Sequence, residues 1–283
     1  MKTYGLLGKN IGYSLSPDMY NTAFKALGME AEYKIFDKNE DELDDFFSEL
    51  RSGRISGCNV TLPYKEKALN FTEKLTAAAK TIGAINTIAY EDGSLKGYNT
   101  DYQGFMKALR GFNKGDLNFE AEGSSAFVFG AGGAAKAVVY GLVTLGGKKI
   151  IIADIDTKKA ERLASAFSQK HRPSVLITVA QDKMQYDDFI SKSGLVVNAT
   201  PCGMEEGDPD LFDYKYIEKK HYVFDLIYTK DTALIKEAKD RGANVANGLN
   251  MLLYQAARAF EHWTNKDAPL EVMRKAVSER IKR

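Results

Sequence analysis

The stretch Ser125–Thr157, SAFVFGAGGAAKAVVYGLVTLGGKKIIIADIDT, reads as strand, glycine turn, helix, second strand and then two acids at the strand tip. Ala126 to Phe129 is an apolar run suited to a buried strand, and Ala134 to Leu145 can continue as a helix. Between them Gly130, Ala131, Gly132, Gly133, Ala134 and Ala135 fit Gly-x-Gly-x-x-Ala. Glycines at 130 and 132 permit a sharp reversal and close backbone approach, and Ala135 lets the helix pack tightly on the strand. The free amides at the helix start attract a pyrophosphate. A glycine string alone is a weak signal, but Lys149 to Ala153 supplies a second apolar strand. Asp154 then stands about 20 residues beyond the turn, where dinucleotide folds present an acid to a ribose.

The adenosine end is where the acids choose a cofactor. Asp154 is expected to accept from ribose hydroxyls, and Asp156 adds a second negative charge near the same spot. At about 4 Å and an effective dielectric near 20, each like-charge contact with a 2′-phosphate costs roughly 4 kcal/mol before screening. The expectation is therefore NAD, with NADP the less favoured cofactor. Lys158, Lys159 and Arg162 weigh the other way as groups that could reach a phosphate, or they are solvated charges at a helix start.

The whole chain sets wider bounds. Its 283 residues with 44% hydrophobic content can bury a large core, and the length favours two domains. The 39 basic and 38 acidic residues are well mixed and leave a net charge of +1, without the basic stripe that nucleic acid or an anionic membrane requires. No apolar run approaches the ~20 residues of a membrane span, and MKTYGLLGKN lacks a secretory pattern, so a cytoplasmic protein is expected. Cys58 and Cys202 offer no disulfide framework, and His171, His221 and His262 lack ligand spacing, so no metal is expected.

The α/β pattern begins well before the glycine turn. Thr3 to Leu7 is a predicted strand, Ser16 to Leu27 a helix capped by Ser16 with Pro17 in its first turn, and Ala31 to Asp37 a strand. Glu40 to Ser52 is an amphipathic helix, Gly57 to Val60 a strand, and Tyr64 to Asn70 a short helix. Thr87 to Tyr90 and Ser94 to Gly97 pair as a hairpin across Glu91-Asp92-Gly93. Tyr102 to Leu109 is helical. Beyond the second nucleotide strand come a helix over Ala160 to Lys170 and strands over Leu195 to Asn198 and Tyr222 to Leu226, continuing a doubly wound sheet. Asn250 to Trp263 and Leu270 to Ile281 close the chain as helices. The expected organisation is an N-terminal α/β substrate domain over residues 1–101, a doubly wound parallel-sheet (Rossmann) dinucleotide domain over 102–245, and returning helices over 246–283.

A metal-free hydride transfer needs a proton acceptor beside the nicotinamide. Lys65, after a strand end, and Asp101, after the hairpin, are candidates, or merely solvated loop charges. Asn59, Asn86 and Asn99 punctuate the same region and could be turn residues. Ser14 and Ser16 could hold a carboxylate through hydroxyl donors or simply cap a helix. Tyr216-Ile217-Glu218-Lys219-Lys220 fits Tyr-x-x-x-Lys of short-chain dehydrogenases, but precedes a strand instead of lying on a helix, and reads better as surface charge.

Taken in order, Gly8 to Pro17 (GKNIGYSLSP), GCNVTLPYKEKA, IGAINTI, GYNTDYQG, GAGGAAKAV, NATPCGM and GLNMLLYQAARAFEHW make the chain resemble the shikimate/quinate dehydrogenase family over essentially its full length. The resemblance implies an oxidoreductase acting on the ring 3-hydroxyl of shikimate or quinate. Lys65 and Asp101 would be the catalytic pair, and Ser14 and Ser16 the carboxylate anchors. Thr61, Asn86 and Gln255 would hold ring hydroxyls, with Tyr228 nearby. Gly248 and Met251 would face the nicotinamide, and Thr200 lies in a further cofactor motif. The departures are Tyr13 and Tyr20, where histidine is common, and Asn10, where proline is usual. Asp154-Ile155-Asp156 replaces the Asn-Arg-Thr run of members that use NADP, which agrees with the NAD expectation. An NADP-dependent shikimate dehydrogenase and a non-catalytic metabolite-binding regulator are the alternatives. The expected partner is a small polyol carboxylate, with the protein itself a monomer or homodimer.

Overall fold

The computed structural model describes residues 1–111, 113–170 and 175–281. The chain divides into two compact units, Met1–Thr100 with Leu253–Arg283, and Asp101–Leu252. In chain order the first contains β1 (Lys2–Gly8), α1 (Ser16–Ala26), β2 (Ala31–Asp37), α2 (Leu43–Arg51), β3 (Gly57–Val60), β4 (Lys74–Leu75), α3 (Ala77–Ile82), β5 (Thr87–Glu91) and β6 (Ser94–Tyr98). The second contains α4 (Asp101–Arg110), β7 (Ser125–Phe129), α5 (Gly133–Thr144), β8 (Lys149–Ala153), α6 (Thr157–Lys170), β9 (Leu176–Val179), α7 (Tyr186–Ser191), β10 (Leu195–Asn198), β11 (Tyr222–Asp225), α8 (Ala233–Asp240) and β12 (Asn244–Asn247). Then α9 (Leu249–Thr264) begins in the second unit and ends in the first, followed by α10 (Leu270–Ile281).

The first unit is a mixed sheet in the order β2-β1-β3-β5-β6-β4, with β1, β2 and β3 parallel and β5 antiparallel to both neighbours. The hairpin turns on Asp92 and Gly93, both at positive φ (49° and 76°), as a two-residue primed turn requires. One side of the sheet buries Leu7, Phe46, Phe47, Leu50, Ile85 and Ile88. The other is an aromatic layer: Tyr4 stacks on Trp263 at 5.1 Å, Tyr20 on Tyr33 at 4.4 Å, and Phe24 meets Phe260 at 5.6 Å. Both faces of the sheet are thus covered by apolar side chains, which accounts for the burial of β3 throughout and of β1 from Tyr4 to Gly8.

The second unit is an all-parallel sheet, β12-β11-β10-β7-β8-β9, with β7 and β10 adjacent where the winding reverses. That is the doubly wound order, and ligands of such sheets bind beyond the strand ends at the switch point. Among the described residues no helix is long and apolar enough to cross a membrane.

Four local readings change, the first being the helix expected over Glu40 to Ser52, which is a 3-10 turn, Glu40–Glu42, followed by α2. The segment after Pro63 is a turn followed by a 3-10 helix, Lys67–Phe71, and not a helix over Tyr64 to Asn70. Ser16 does not cap α1: the Ser14 hydroxyl oxygen accepts from the Ser16 N–H at 3.2 Å, and Ser16 is the first helical residue. The strand that ends the apolar run at 222 stops at Asp225.

A side chain at Gly57 would bring its Cβ within 2.7 Å of the Trp263 ring nitrogen and 2.9 Å of the Ile88 carbonyl oxygen, which are bonded to each other at 2.9 Å. Gly57→Ala should therefore cost about 1–3 kcal/mol through overpacking, read as a Tm lowered by several degrees in thermal unfolding. An unchanged Tm would show that the indole can shift freely.

Candidate active site

In the first unit the candidate residues collect at the ends of β1, β3 and β5. A Cβ on Gly8 would meet Thr61 Cγ2 at 2.7 Å and Ile11 Cγ2 at 2.8 Å, so glycine lets the exit from β1 lie against the segment after β3. Two backbone bonds tie them: the Thr61 N–H donates to the Leu7 carbonyl at 2.9 Å and the Lys9 N–H to the Leu62 carbonyl at 3.2 Å. The loop to α1 is held by Asp37, whose carboxylate oxygens accept from the Asn10 and Ile11 N–H groups at 2.9 and 3.1 Å. Ser14 is half-buried and Ser16 buried, while Tyr13 is exposed. Lys65 is half-buried, and its carbonyl accepts from the Ile85 N–H at 2.8 Å, one residue before Asn86.

Asn86 and Gln255, 169 residues apart in sequence, are brought together: Asn86 Nδ2 donates to Gln255 Oε1 at 3.1 Å and to Thr100 Oγ1 at 2.9 Å. Asn59, Thr87 and Thr100 are also buried here, and sequence reading had left Thr87 and Thr100 aside. Their signal was a pair of polar dipeptides, Asn86-Thr87 at the start of β5 and Asn99-Thr100 just after β6. Tyr20, a departure from the family pattern, is wholly buried and donates its hydroxyl to the Ala256 carbonyl at 3.1 Å, so it belongs to the core.

In the second unit Asp101 opens α4 and is buried. Gly130 has φ +106°, which disfavours any side chain, and its Cβ would meet the Ala199 carbonyl oxygen at 2.9 Å and Thr200 Cγ2 at 3.2 Å. The glycine turn and the turn after β10 therefore touch at the switch point. Gly132 is exposed, with nothing within 4 Å of where its Cβ would stand, and Gly133 begins α5. Ala131 is buried and Ala134 half-buried. An open backbone face at a helix start suits a dinucleotide pyrophosphate. A Cβ on Gly248 would overlap the Leu226 carbonyl, and Met251 is buried in the first turn of α9. Tyr228 is half-buried.

Thr200 belongs to a buried polar cluster. Asn198 Oδ1 accepts from the Thr200 N–H and hydroxyl at 3.0 and 2.7 Å, and Asn198 Nδ2 donates to Asp225 Oδ1 at 3.0 Å. Asp225 also accepts from the Thr232 hydroxyl at 2.6 Å and the Ile227 N–H at 3.0 Å. Sequence reading missed Asn198, Asp225 and Thr232 as structural groups. His221 is buried, with Nδ1 accepting from the Glu218 N–H at 2.7 Å and Nε2 facing the Ile190 carbonyl at 3.1 Å. His171 lies outside the described residues, and among those described no cluster of histidine, cysteine and acids could hold a metal ion.

Comparison with known proteins adds names to this geometry. The sequence model of the shikimate dehydrogenase substrate binding domain matches residues 6–88, and that of the shikimate 5′-dehydrogenase C-terminal domain residues 248–277. The protein of Methanopyrus kandleri named shikimate dehydrogenase (NADP(+)) is 38% identical over 281 residues, covering 98% of this chain and 95% of that one. Further curated relatives at 36–39% identity bear the same name. A shikimate dehydrogenase crystallised in complex with NADP+ has a TM-score of 0.89 at 34% identity, covering 100% of this chain and 96% of that one. A quinate dehydrogenase from Corynebacterium glutamicum in complex with NAD has a TM-score of 0.87 at 30% identity, covering 98% and 99%.

These names overturn the expectation of NAD over NADP, and the local geometry supplies the reason. Both oxygens of Asp154 are engaged by backbone, accepting from the Ala131 N–H at 2.8 Å and the Asp156 N–H at 2.9 Å. Asp156 accepts from the Lys159 N–H at 3.3 Å at the start of α6, and its other oxygen stands 3.9 Å from Arg162 Nη2. The two acids serve as turn and helix caps, with their charge opposed by backbone amides and a guanidinium. Lys158, Lys159 and Arg162 are exposed on the first turns of α6, and Ile155 is fully exposed.

Burial pushes the Asp225 carboxyl up to about 6 from its ordinary 3.8, against the bonds from Thr232, Ile227 and Asn198 that favour the ionised form. A folded-state value above the unfolded one gives stability that is complete below about pH 4 and is lost as pH rises through about 6. Asparagine keeps the Oδ1 acceptor and can donate to the Thr232 hydroxyl. The stability of Asp225→Asn relative to wild type should then improve by on the order of 2–3 kcal/mol from pH 4 to 7, measured by denaturant unfolding at each pH. A flat difference would mean that Asp225 titrates at its ordinary value.

Proposed function

Because the chain belongs to the shikimate dehydrogenase family, we propose that it reversibly oxidises the ring 3-hydroxyl of shikimate with NADP+ as hydride acceptor. The observation that carries this reading is full-length similarity at 38% identity to a protein of that name. The similarity to a quinate dehydrogenase favours quinate as a second substrate. When bound, the nicotinamide supplies the hydride acceptor; the chain must supply everything else.

Lys65 and Asp101 are proposed as the acid/base pair. In the oxidising direction the pair takes the hydroxyl proton; in the reducing direction protonated Lys65 returns it and stabilises the developing alkoxide. Ser14 and Ser16 hold the substrate carboxylate, and Thr61, Asn86, Gln255 and Tyr228 the ring hydroxyls. What supports these roles is the match of each residue to its motif and, for all but Gln255, which lies within α9, its placement at or near an element end. The dinucleotide is assigned to Gly130, Ala131, Gly132, Gly133 and Ala134 at the head of α5, with Thr200, Gly248 and Met251 bordering it. The open backbone face at Gly132 suits the pyrophosphate. Lys158, Lys159 and Arg162 supply positive charge beside Asp154 and Asp156.

The test is steady-state turnover of shikimate and of quinate with each nicotinamide cofactor. Shikimate with NADP+ should give the highest kcat/KM, and absence of turnover with either acid would favour a non-catalytic metabolite-binding regulator. Lys65→Met should lower kcat by about 10²-fold or more with little change in KM, as for a contact made in the transition state. A rise in KM at unchanged kcat would make Lys65 a substrate anchor instead.

A further inference from the structure

Two backbone groups decide how three carboxamides of the first unit face. The Asn86 carbonyl can only accept, so the group of Asn59 at 3.1 Å from it is Nδ2. The Asn59 oxygen therefore turns to the Tyr33 hydroxyl, which donates at 2.8 Å. The Thr100 N–H can only donate, so the Asn86 side-chain oxygen faces it at 2.6 Å. Asn86 Nδ2 is thereby directed at Gln255, 3.1 Å away, and because an amide nitrogen cannot accept, Gln255 offers Oε1 there. Its two N–H donors lie on the opposite edge of the carboxamide.

Thr87 links this chain of groups. It is fully buried, its hydroxyl oxygen accepts from Asn59 Nδ2 at 3.0 Å, and its proton goes to Asn86 Oδ1 at 3.3 Å. We propose that Thr87 is a positioning residue: its hydroxyl couples the Asn59 and Asn86 carboxamides and so steadies the arrangement in which Gln255 presents N–H donors, and not its oxygen, to an acceptor oxygen of the substrate. The inference rests on the reading of Gln255 as a substrate-binding residue. Valine has threonine's shape without the hydroxyl, so Thr87→Val leaves one N–H of Asn59 Nδ2 without its acceptor in a buried place and leaves Asn86 Oδ1 with the Thr100 N–H and hydroxyl alone, at 2.6 and 3.2 Å. The tie between the two carboxamides is then lost, and the presentation of Gln255 is held through Thr100 alone and becomes looser.

The experiment compares Thr87→Val and Thr87→Ser by steady-state kinetics, by the thermal shift that shikimate induces without cofactor, and by the unfolding temperature without ligand. Thr87→Val should raise the KM for shikimate about five- to tenfold, leave the KM for NADP+ unchanged and diminish the shikimate-induced shift. Thr87→Ser should stay within about twofold of wild type, since it retains the hydroxyl. If the valine variant does not fold, Thr87→Ala carries the same expectation. A wild-type shikimate KM in the valine variant, or equal impairment of the serine variant, overturns the proposal. Wild-type turnover separates the two ideas: its absence overturns the proposed activity and this inference with it, whereas turnover with an unaltered valine variant overturns the inference alone.

Discussion

Polar side chains buried at strand ends must satisfy one another, and this requirement shapes both units. Leaving one such group unmatched costs about 1–3 kcal/mol, a large part of a folded protein's margin. Asn59, Asn86, Thr87 and Thr100 are 0–6% exposed, so β3, β5, the end of the hairpin and α9 have to converge for their amides and hydroxyls to find partners. The second unit repeats the arrangement with Asn198, Asp225 and Thr232, whose bonds shape the turn carrying Thr200. Gly130 then has to be glycine because that turn occupies the space of its Cβ. The candidate site residues are thus placed by the same bonds that make their burial tolerable.

The adenosine end shows how a charge count misleads when backbone amides and a guanidinium already oppose the charge. Asp154 and Asp156 are two formal negative charges, and at the distances of a like-charge contact they would exclude a phosphate. Folding turns Asp154 back onto the Ala131 and Asp156 amides, and makes Asp156 an acceptor for the start of α6. The amides that they satisfy carry the positive ends of peptide dipoles, which offset part of each charge. A basic turn, Lys158, Lys159 and Arg162, adjoins them. An acid after the second nucleotide strand can therefore cap a turn, and its formal charge alone overstates its effect on a nearby phosphate.

Strong periodic elements were legible in the sequence, and short or edge elements were not. The run 125–157 gave β7, the glycine turn, α5 and β8 within about a residue, because apolar content, glycine placement and helix length all agree there. The strands β4, β9 and β12 and the helices α3, α7 and α8 went unread. β9 is only four residues long and not fully buried at any of them, since it is an edge strand with one neighbour. α7 has six residues, too short for a helical period to declare itself. In the candidate site, Lys65, Asn86 and Gln255 could be named from motifs, but the bond between Asn86 and Gln255 spans 169 residues and leaves no local trace.

The loop that carries Ser14 shows how the departures from the family pattern are absorbed. A proline at position 10 would hold φ near −65° and remove an N–H. Asn10 instead adopts φ +56°, a region that asparagine tolerates and proline cannot enter, and its N–H goes to Asp37. The loop thereby exchanges a covalent restraint for a carboxylate that grips two consecutive amides, Asn10 and Ile11. Tyr20 is absorbed differently: it stacks on Tyr33 in the core and donates to the carbonyl of Ala256, the residue after Gln255. The same tyrosine pair thus reaches the site twice, through Tyr33 to Asn59 and through Tyr20 to the helix turn that bears Gln255. The divergent positions are consequently tied to the loop backbone and the helix that carry the proposed anchors, and those residues, Ser14, Ser16, Asn86 and Gln255, keep the residue types that the resemblance assigns to them.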